Sequence, residues 1–234
     1  MSSRPDLRLD WVGTDAAIYA CKRWHYSRRV PVFKCVRLGV FEYGKFIGVV
    51  LFGQGATPQL GSPYGLIGTQ VCELTRIALT EHRTQVSRIV KIALRFLLLR
   101  CPGLRLVISF ADAGHGHHGG IYQGGGWIYL GGRDTHSYRV NGVVTHPKTL
   151  HSRYGKGGQS VPWLRSNIDP YAERIEVGFK HRYAMPLDAE MRARILPLAK
   201  PYPKRAKEQD GEHHSSLGGV TPTRTLQIAE SENA

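Results

Sequence analysis

The stretch from Val71 to Phe96, VCELTRIALTEHRTQVSRIVKIALRF, constrains the fold of this chain more than any other. It begins as an apolar strand pattern, passes through a short polar turn and continues as an amphipathic helix with Ser87 and Arg88 in its first turn. A strand followed directly by a helix points backbone N–H groups and the positive end of the helix dipole at the space beyond the strand. The pattern predicts an anion-binding turn, although such turns usually contain glycines and this one has none.

Further strands and helices are predicted on both sides of this unit. Strands over Phe33–Glu42 and Lys45–Phe52 are joined by the turn Tyr43-Gly44, and Asn141-Gly142 marks a second hairpin. The other predicted elements are a helix from Asp15 to about Trp24, a strand ending at Asp112, a short helix around Ile121, a strand over Trp127–Leu130 and a helix over Asp188–Leu196. This order predicts one α/β (α+β) unit. We expect a core of residues 1–146, a C-terminal extension of residues 147–205 packed on it, and a disordered tail of residues 206–234.

Composition indicates the class of partner. The chain carries a formal charge of +14 and has a pI near 9.9, and a basic surface attracts phosphates, so nucleic acid is the expected partner. The four cysteines are widely spaced without a C-x-x-C pair, which fits reduced thiols better than a zinc knuckle or a disulfide framework. The N-terminus lacks the apolar core of a signal peptide and no apolar run is long enough to span a bilayer. We therefore expect a cytoplasmic protein without a membrane partner.

Two segments resemble the GCN5-related N-acetyltransferase superfamily. ELTRIALTEHR (residues 73–83) resembles its core strand and turn, and GGIYQGGGWIYLG (residues 119–131) resembles its later segment. The resemblance implies a mixed central sheet flanked by helices and a turn that holds the pyrophosphate of coenzyme A. The turn itself departs from the pattern, because the side chains of residues 83–88, RTQVSR, stand where spaced glycines are usual. Acetyl-coenzyme A and another activated glycine or acyl carrier are both open as donors.

A longer series of motifs resembles the bacteriophage Mom family of DNA modification proteins. In chain order the motifs are CKRWHYS, CELTRIALT, VSRIV, FAD, GHHGGIYQ, KHRYAMPLD and KPYPKR, and they extend to Arg205. The resemblance implies an enzyme that transfers a glycine-derived carbamoylmethyl group to N6 of adenine in double-stranded DNA and so protects phage DNA from host restriction. The implied partners are double-stranded DNA and a small-molecule or carrier-bound donor, in the cytoplasm of the bacterial host.

An enzyme that acts on the exocyclic amine of adenine has to extrude the base from the duplex into an aromatic pocket. The candidates for lining such a pocket are Trp24, Tyr26, Tyr43 and Trp127, and the alternative for each is a place in the core. Asp112 ends a buried strand beside a glycine loop, so its carboxylate is a candidate for accepting a hydrogen bond or a proton from N6. The alternative for Asp112 is an Asx turn that opens the loop.

Tyr122 and Arg76 are the candidates on the donor side. The superfamily resemblance implies that Tyr122 protonates the leaving group. Arg76 is a charge in an otherwise apolar strand, so it has to pair or to face a ligand. Pairing with Glu73 is disfavoured, since residues three apart on a regular strand point to opposite faces. The turn adds three candidate donor-binding residues, Arg83, Ser87 and Arg88, of which Ser87 is also the expected helix N-cap.

Histidines and a basic helix face complete the candidate residues. The Mom resemblance implies a role in iron binding or substrate contact for the pair His25 and Tyr26, which makes both candidate catalytic residues and iron a candidate cofactor. His117 and His118 fall inside a family motif and are candidate substrate-binding residues, with a flexible surface loop as the alternative. The helix after the turn carries a candidate track for the DNA backbone, Lys91 and Arg95, with a solvated face as the alternative.

Two functions from different classes are compatible with the sequence. The first is a DNA adenine N6-modifying transferase, which is favoured because Asp112, Tyr122 and Arg76 stand at their places in the family motifs. The second is a non-catalytic basic DNA-binding protein on a degenerate acyltransferase scaffold, which would explain the missing glycines. A metal-dependent nuclease built on the histidine loop is a weaker third hypothesis.

Overall fold

The computed structural model describes residues 6–31, 33–55 and 59–203. The strands in these ranges are β1 (Leu7–Trp11), β2 (Cys35–Glu42), β3 (Lys45–Gly53), β4 (Val71–Leu79), β5 (Leu106–Asp112), β6 (Ile128–Val140), β7 (Val143–Thr145) and β8 (Glu173–Pro186). The helices are α1 (Thr14–Trp24), α2 (Val86–Arg100), α3 (Gly120–Gly124), α4 (Pro147–Tyr154), α5 (Val161–Asn167) and α6 (Ala189–Ile195). The expected tail of residues 206–234 lies outside the described residues.

The eight strands form one mixed sheet in the order β1-β2-β3-β4-β5-β8-β6-β7. Within it β4 and β5 run parallel, and the other neighbouring strands of the described part pair antiparallel. Helices pack on both sides of the sheet. The predicted α/β (α+β) class, a mixed central sheet flanked by helices, is confirmed. Within the described ranges no helix has the length and apolar character needed to cross a membrane.

The C-terminal half of the sheet differs from the prediction. The strand predicted over Trp127–Leu130 is the beginning of β6, which continues through register irregularities to the hairpin turn at Asn141-Gly142. β8 has no counterpart in the prediction, because the polar run KHR interrupts the alternation of apolar residues in its sequence, ERIEVGFKHRYAMP. β8 lies between β5 and β6, so the expected extension of residues 147–205 contributes a strand to the interior of the sheet. The domain boundary at residue 146 stays a prediction.

The two sides of the sheet are named by the helices that cover them. The α2 face is covered by α2 and α3, where Phe52 and Leu74 pack against Ile89 and Leu97. The α1 face is covered by α1 and α6, and the apolar clusters there include Ala17 with Leu51 and Met191 with Ile108. Successive residues of a strand point to opposite faces, so strands covered on both sides are apolar throughout, as the buried run over residues 47–53 of β3 illustrates.

A β-bulge in β4 changes which of its residues share a face. In the register with β3, Arg76 pairs with Leu51 and Leu74 pairs with Phe52, which leaves Thr75 as an extra residue. The residues that β4 contributes to the core of the α2 face show the same shift, because their spacing changes from two to three at the bulge. They are Cys72, Leu74, Ile77 and Leu79. Glu73 and Arg76 therefore both lie on the α1 face. The prediction that their three-residue spacing places them on opposite faces is wrong, because it assumes a regular strand.

The parallel strands β4 and β5 pair only over a short distance. Four residues of each strand are in register, from Val71 with Leu106 to Leu74 with Ser109. Beyond that point β4 continues along β3 to Leu79, and β5 continues along β8 to Asp112. The sheet therefore opens between β4 and β5, and we call this opening the β4–β5 gap. A gap of this kind gives side chains of the α2 face access to the α1 face.

The glycine before α3 is required by the placement of that helix next to the gap. Gly119 has φ +83°, and a Cβ there would lie 2.3–2.5 Å from the Tyr183 ring. We predict that Gly119→Ala lowers the free energy of unfolding by about 2 kcal/mol or more, through backbone strain and overpacking. Gly124→Ala is the matched control, since a Cβ there meets nothing within 4 Å, and it should be neutral or slightly stabilising. Urea unfolding of both variants measures the difference, and equal effects would contradict the assigned role of Gly119.

Candidate functional site

An aromatic cluster lies on the α1 face where the loop after β5 meets the end of α1. The ring of Tyr26 is 4.3 Å from that of His25, 4.4 Å from that of His115 and 5.3 Å from that of His117, measured between ring centroids. Tyr26 is 47% exposed, whereas His25 is buried. The structure thus brings together three predicted residues, His25, Tyr26 and His117, from segments about 90 positions apart in the sequence. The exposed ring of Tyr26 offers a surface on which a planar group can stack.

Asp112 lies at the edge of this cluster. Its Oδ1 accepts a hydrogen bond from Gly114 N at 3.1 Å and is 3.5 Å from His115 Nδ1, and its Oδ2 is 3.8 Å from Lys180 Nζ. The expected Asx turn is therefore present. Oδ2 remains next to a cation on the rim of the site, and the negative charge of Asp112 helps to raise the pKa of the Tyr26 hydroxyl, an effect led by burial. Asp112 therefore opens the loop and also presents a carboxylate to the cluster.

Arg76 contributes a fixed positive charge beside the cluster. Its Nη1 donates to the Thr75 carbonyl at 2.6 Å and its Nε donates to the Arg29 carbonyl at 3.5 Å. Burial, followed by the positive charge of Arg76, lowers the pKa of His25 to about 3. His25 is therefore neutral at physiological pH, and its Nδ1 is engaged by the backbone N–H of Ser27 at 3.1 Å.

Tyr122 reaches the base of the β4–β5 gap from the α2 face. Ser109 Oγ is 2.7 Å from the Tyr122 hydroxyl and 2.8 Å from the Leu74 carbonyl oxygen, at the last pair of the two parallel strands. A serine hydroxyl has a single proton and donates to one acceptor at a time. When Ser109 donates to Leu74 it accepts from Tyr122, and when it rotates it donates to Tyr122. Ser109 can therefore hold Tyr122 either as a phenol or as a phenolate.

The hydroxyl of Tyr122 stays protonated at neutral pH. Burial raises its pKa to about 12, although the hydrogen bond with Ser109 acts in the opposite direction. The negative charges that Tyr26 and Glu73 can carry also raise this pKa. The ring is fixed by Trp127 and Tyr183, at centroid distances of 5.1 and 5.0 Å. These contacts hold a proton donor at one place in the gap.

The turn between β4 and α2 is occupied by a side chain of the protein itself. The carboxylate of Glu42, at the end of β2, accepts from Arg83 N at 2.9 Å, from Thr84 N at 2.8 Å and from Thr84 Oγ1 at 2.6 Å. Helix α2 has Gln85 as its N-cap, so the expectation that Ser87 caps the helix is wrong. Ser87 and Arg88 lie in the first turn of α2, as predicted. The carboxylate of Glu42 therefore occupies two consecutive N–H groups of this turn, those of Arg83 and Thr84.

Several predicted residues lie apart from the aromatic cluster. Trp127 is 1% exposed and belongs to the apolar core, which favours the packing alternative over a base-binding role. Trp24 also packs inward, against Phe46 and Tyr19.

Tyr43 is at the tip of the β2–β3 hairpin with φ +50°, and with Arg83 it borders a cavity of about 410 Å³. Ser87, Lys91 and Arg95 border another cavity, of about 480 Å³, along α2. The backbone carbonyl of His118 accepts from the Tyr183 hydroxyl at 2.6 Å.

The described residues do not fit an iron site. No three or more His, Cys, Asp or Glu side chains within residues 6–31, 33–55 and 59–203 are grouped so that they could hold a metal ion. Tyr26 and the histidines around it make ring contacts, and Nδ1 of His25 is hydrogen-bonded to Ser27. The expectation of iron on His25 and Tyr26 therefore receives no support, and the geometry of these two residues favours stacking and electrostatic roles.

Comparison with known proteins decides the family. The sequence profile of the Mom protein family matches residues 6–204. The chain belongs to the Mom protein family. This Mom family member is 30% identical over 206 residues to the methylcarbamoylase mom of Escherichia phage Mu, with 85% of this chain and 84% of that protein covered. The predicted membership is confirmed.

Two solved structures are also similar to this Mom family member. A putative acetyltransferase from Acinetobacter baylyi ADP1 has a TM-score of 0.43 and 12% identity, with 80% of this chain and 96% of that chain covered. A putative phosphinothricin N-acetyltransferase has a TM-score of 0.43 and 13% identity, with 78% of this chain and 99% of that chain covered.

Two further site residues of this Mom family member, Ser109 and Glu42, were not candidates in the sequence, and His115 was a less favoured member of the histidine loop. Ser109 is the polar residue within the apolar run LVISFAD, and a buried hydroxyl in such a run is a usable signal. His115 lies outside the family motif that contains His117 and His118, yet its ring is closer to Tyr26. Glu42 precedes a hairpin turn, where a glutamate is normally solvated, so no feature of the sequence reveals its partners.

The hydrogen bond between Ser109 and Tyr122 in this Mom family member can be measured as a coupling energy. Ser109→Ala and Tyr122→Phe each leave a buried hydroxyl without this partner, so we predict that the double variant is less destabilised than the sum by about 1 kcal/mol. Urea unfolding of the four proteins measures this difference. Ser109→Ala combined with Tyr183→Phe is the control and should be additive, because the Tyr183 hydroxyl donates to His118. Additivity of Ser109 with Tyr122 would contradict the interaction.

Proposed function

We propose that this protein is a DNA-modifying transferase that attaches a glycine-derived carbamoylmethyl group to N6 of adenine in double-stranded DNA, and so protects phage DNA from restriction. Family membership and the methylcarbamoylase of phage Mu support a modification role. The observation that carries the proposal is the β4–β5 gap, where the proton donor Tyr122 approaches from one face and Tyr26 and Asp112 lie on the other. The place of action that goes with this role is the cytoplasm of the bacterial host.

The α1 face is the proposed binding side for adenine. A base extruded from the duplex is held by stacking on aromatic rings and by hydrogen bonds to its edge. Tyr26 is the stacking surface, flanked by His115 and His117, and the Asp112 carboxylate accepts a hydrogen bond from the N6 amine. His25 is neutral and buried, so it supports the Tyr26 ring and adds no positive charge beneath the base.

The reaction is a substitution at the methylene carbon of the donor. N6 forms a bond to this carbon as the bond from the carbon to its leaving group breaks. Asp112 takes the proton released from N6, and Tyr122 gives its proton to the leaving group, which matches the protonated state that burial imposes on Tyr122. Ser109 then rotates to donate to the Tyr122 phenolate. Arg76 is the proposed partner for a carbonyl or carboxylate oxygen of the donor.

The positive surface supplies the attraction for DNA. A formal charge of +14 makes duplex binding salt-dependent, since each phosphate contact releases condensed counterions. Lys91 and Arg95 are exposed on α2, which covers the side of the sheet away from Tyr26, so they do not lie beside the proposed base site. Lys180, next to Asp112, is proposed to neutralise a phosphate beside the extruded base.

Nucleoside mass spectrometry tests the proposed function directly. DNA from cells that express the wild-type protein should contain a deoxyadenosine in which one hydrogen on N6 is replaced by a carbamoylmethyl group. Tyr122→Phe should lower the yield by about 100-fold or more, the usual contribution of general acid catalysis. Tyr171→Phe makes the same chemical change at a side chain that is 87% exposed and should leave the yield unchanged.

The alternative predicts another result in the same experiment. If wild-type DNA contains no modified adenosine while the purified protein binds duplex DNA with a steep salt dependence, the transferase proposal is wrong and a non-catalytic DNA-binding protein is supported.

A further inference from the structure

The carboxylate of Glu42 is bound by the β4–α2 turn just before the N-cap of α2. Two consecutive backbone N–H groups, those of Arg83 and Thr84, donate to its carboxylate, and the Thr84 hydroxyl donates a third hydrogen bond. The side chain comes from β2, 41 positions earlier in the sequence, and is 6% exposed. Consecutive backbone N–H groups in a turn can form a concavity that binds an anion. In this protein the anion is supplied by the chain.

The carboxylate is charged in the folded protein. Burial acts to raise the pKa of Glu42, but the hydrogen bonds from Thr84 and from the backbone of Arg83 outweigh it, so the pKa is lowered. An ionised carboxylate with three donors is a strong acceptor set, because hydrogen bonds to a charged group are about twice as strong as neutral ones. A phosphate that approached this turn would have to displace Glu42 or lie against its negative charge.

The neighbouring surface does not compensate for that repulsion. The cavity beside the turn, about 410 Å³, is bordered by two carboxylates, Glu42 and Glu81, and by two cations, Lys45 and Arg83. Opposite charges are therefore balanced there, unlike in the chain as a whole. A pyrophosphate, which carries several negative charges, requires an excess of positive charge or free N–H donors.

We propose that Glu42 determines donor specificity by excluding pyrophosphate-bearing donors, coenzyme A thioesters among them, from the β4–α2 turn. The proposal rests on the proposed function in one respect, namely that the protein uses a donor. It assigns that donor to a class without a pyrophosphate at this turn, in which the leaving group is bonded to the methylene carbon of the carbamoylmethyl group. Arg83 then acts as the cationic neighbour of Glu42 and not as a phosphate ligand.

The backbone amides of Arg83 and Thr84 report on this site directly. In ¹H–¹⁵N NMR spectra of the wild-type protein, we expect these two resonances to stay unchanged as inorganic pyrophosphate or coenzyme A is added. In Glu42→Ala they should shift saturably with pyrophosphate, and the Tm of that variant should rise with pyrophosphate concentration as the anion replaces the missing carboxylate. Glu81→Ala makes the same charge change on the same cavity without freeing the turn, and its two amides should not respond.

Glu42→Gln tests the charge without emptying the site. This substitution preserves the shape of the side chain, so it tests whether the charge of Glu42 excludes pyrophosphate even if the alanine variant does not fold. Loss of the buried charge should strengthen pyrophosphate binding at the two amides by about tenfold or more relative to wild type, the change expected for one charge-assisted hydrogen bond.

Two results would overturn the proposal. One is a saturable response of the Arg83 and Thr84 amides to pyrophosphate or coenzyme A in the wild-type protein, at the affinity found for the variants. The other is an unresponsive pair of amides in folded Glu42→Ala or Glu42→Gln. Neither result depends on DNA modification, so failure of the specificity proposal and failure of the transferase proposal are separable.

Discussion

The short pairing between β4 and β5 is the constraint on which the candidate site depends. Strands of a continuous sheet separate two faces completely, and a side chain on one face cannot reach a group on the other. Here the pairing ends at Leu74 and Ser109. Ser109 Oγ occupies the point of separation, where it satisfies the Leu74 carbonyl and contacts the Tyr122 hydroxyl. Two buried polar groups that the separation would leave without partners are thereby satisfied.

The bulge at Thr75 and the gap act together. The extra residue in β4 moves Arg76 to the α1 face, where its charge lies near His25 and Tyr26. The gap lets the proton of Tyr122, held on the α2 face, approach the same region. The proton acceptor Asp112 and the proton donor Tyr122 are thus supplied by different faces of the sheet. Glu42 does not belong to this site. It is proposed to determine which class of donor molecule can bind at the β4–α2 turn.

The sequence predicted much of this molecule from local patterns. Helices α1 and α2, the hairpin at Tyr43-Gly44 and the strand ending at Asp112 follow from periodicity and turn residues. β8 was not predicted, although Ile175, Val177 and Phe179 show the alternation of a strand, because the polar run KHR at residues 180–182 interrupts that alternation. The bulge at Thr75 places Glu73 and Arg76 on the same face, and no spacing rule anticipates an extra residue in a strand.

Most residues of the candidate site could be predicted from the sequence, but the side chains and backbone groups that they contact could not. His25, Tyr26 and His117 were named from motifs, and the structure places their rings together. Trp127 was expected to line the adenine pocket, but it lies in the apolar core. An aromatic residue that precedes a strand is compatible with both positions. Glu42 was invisible to sequence reasoning, because its three hydrogen bonds span about 40 positions and depend on the closed fold.

A kinetic double-mutant cycle between Tyr122 and Asp112 tests most directly whether the two faces form one site. The measurement is the initial rate of modified adenosine formation by wild type, Tyr122→Phe, Asp112→Asn and the double variant. If both residues act on the same substitution, their effects are strongly non-additive, and the double variant is at most about tenfold slower than the slower single variant. A double variant whose rate falls by the product of the two single reductions would contradict a shared site across the β4–β5 gap.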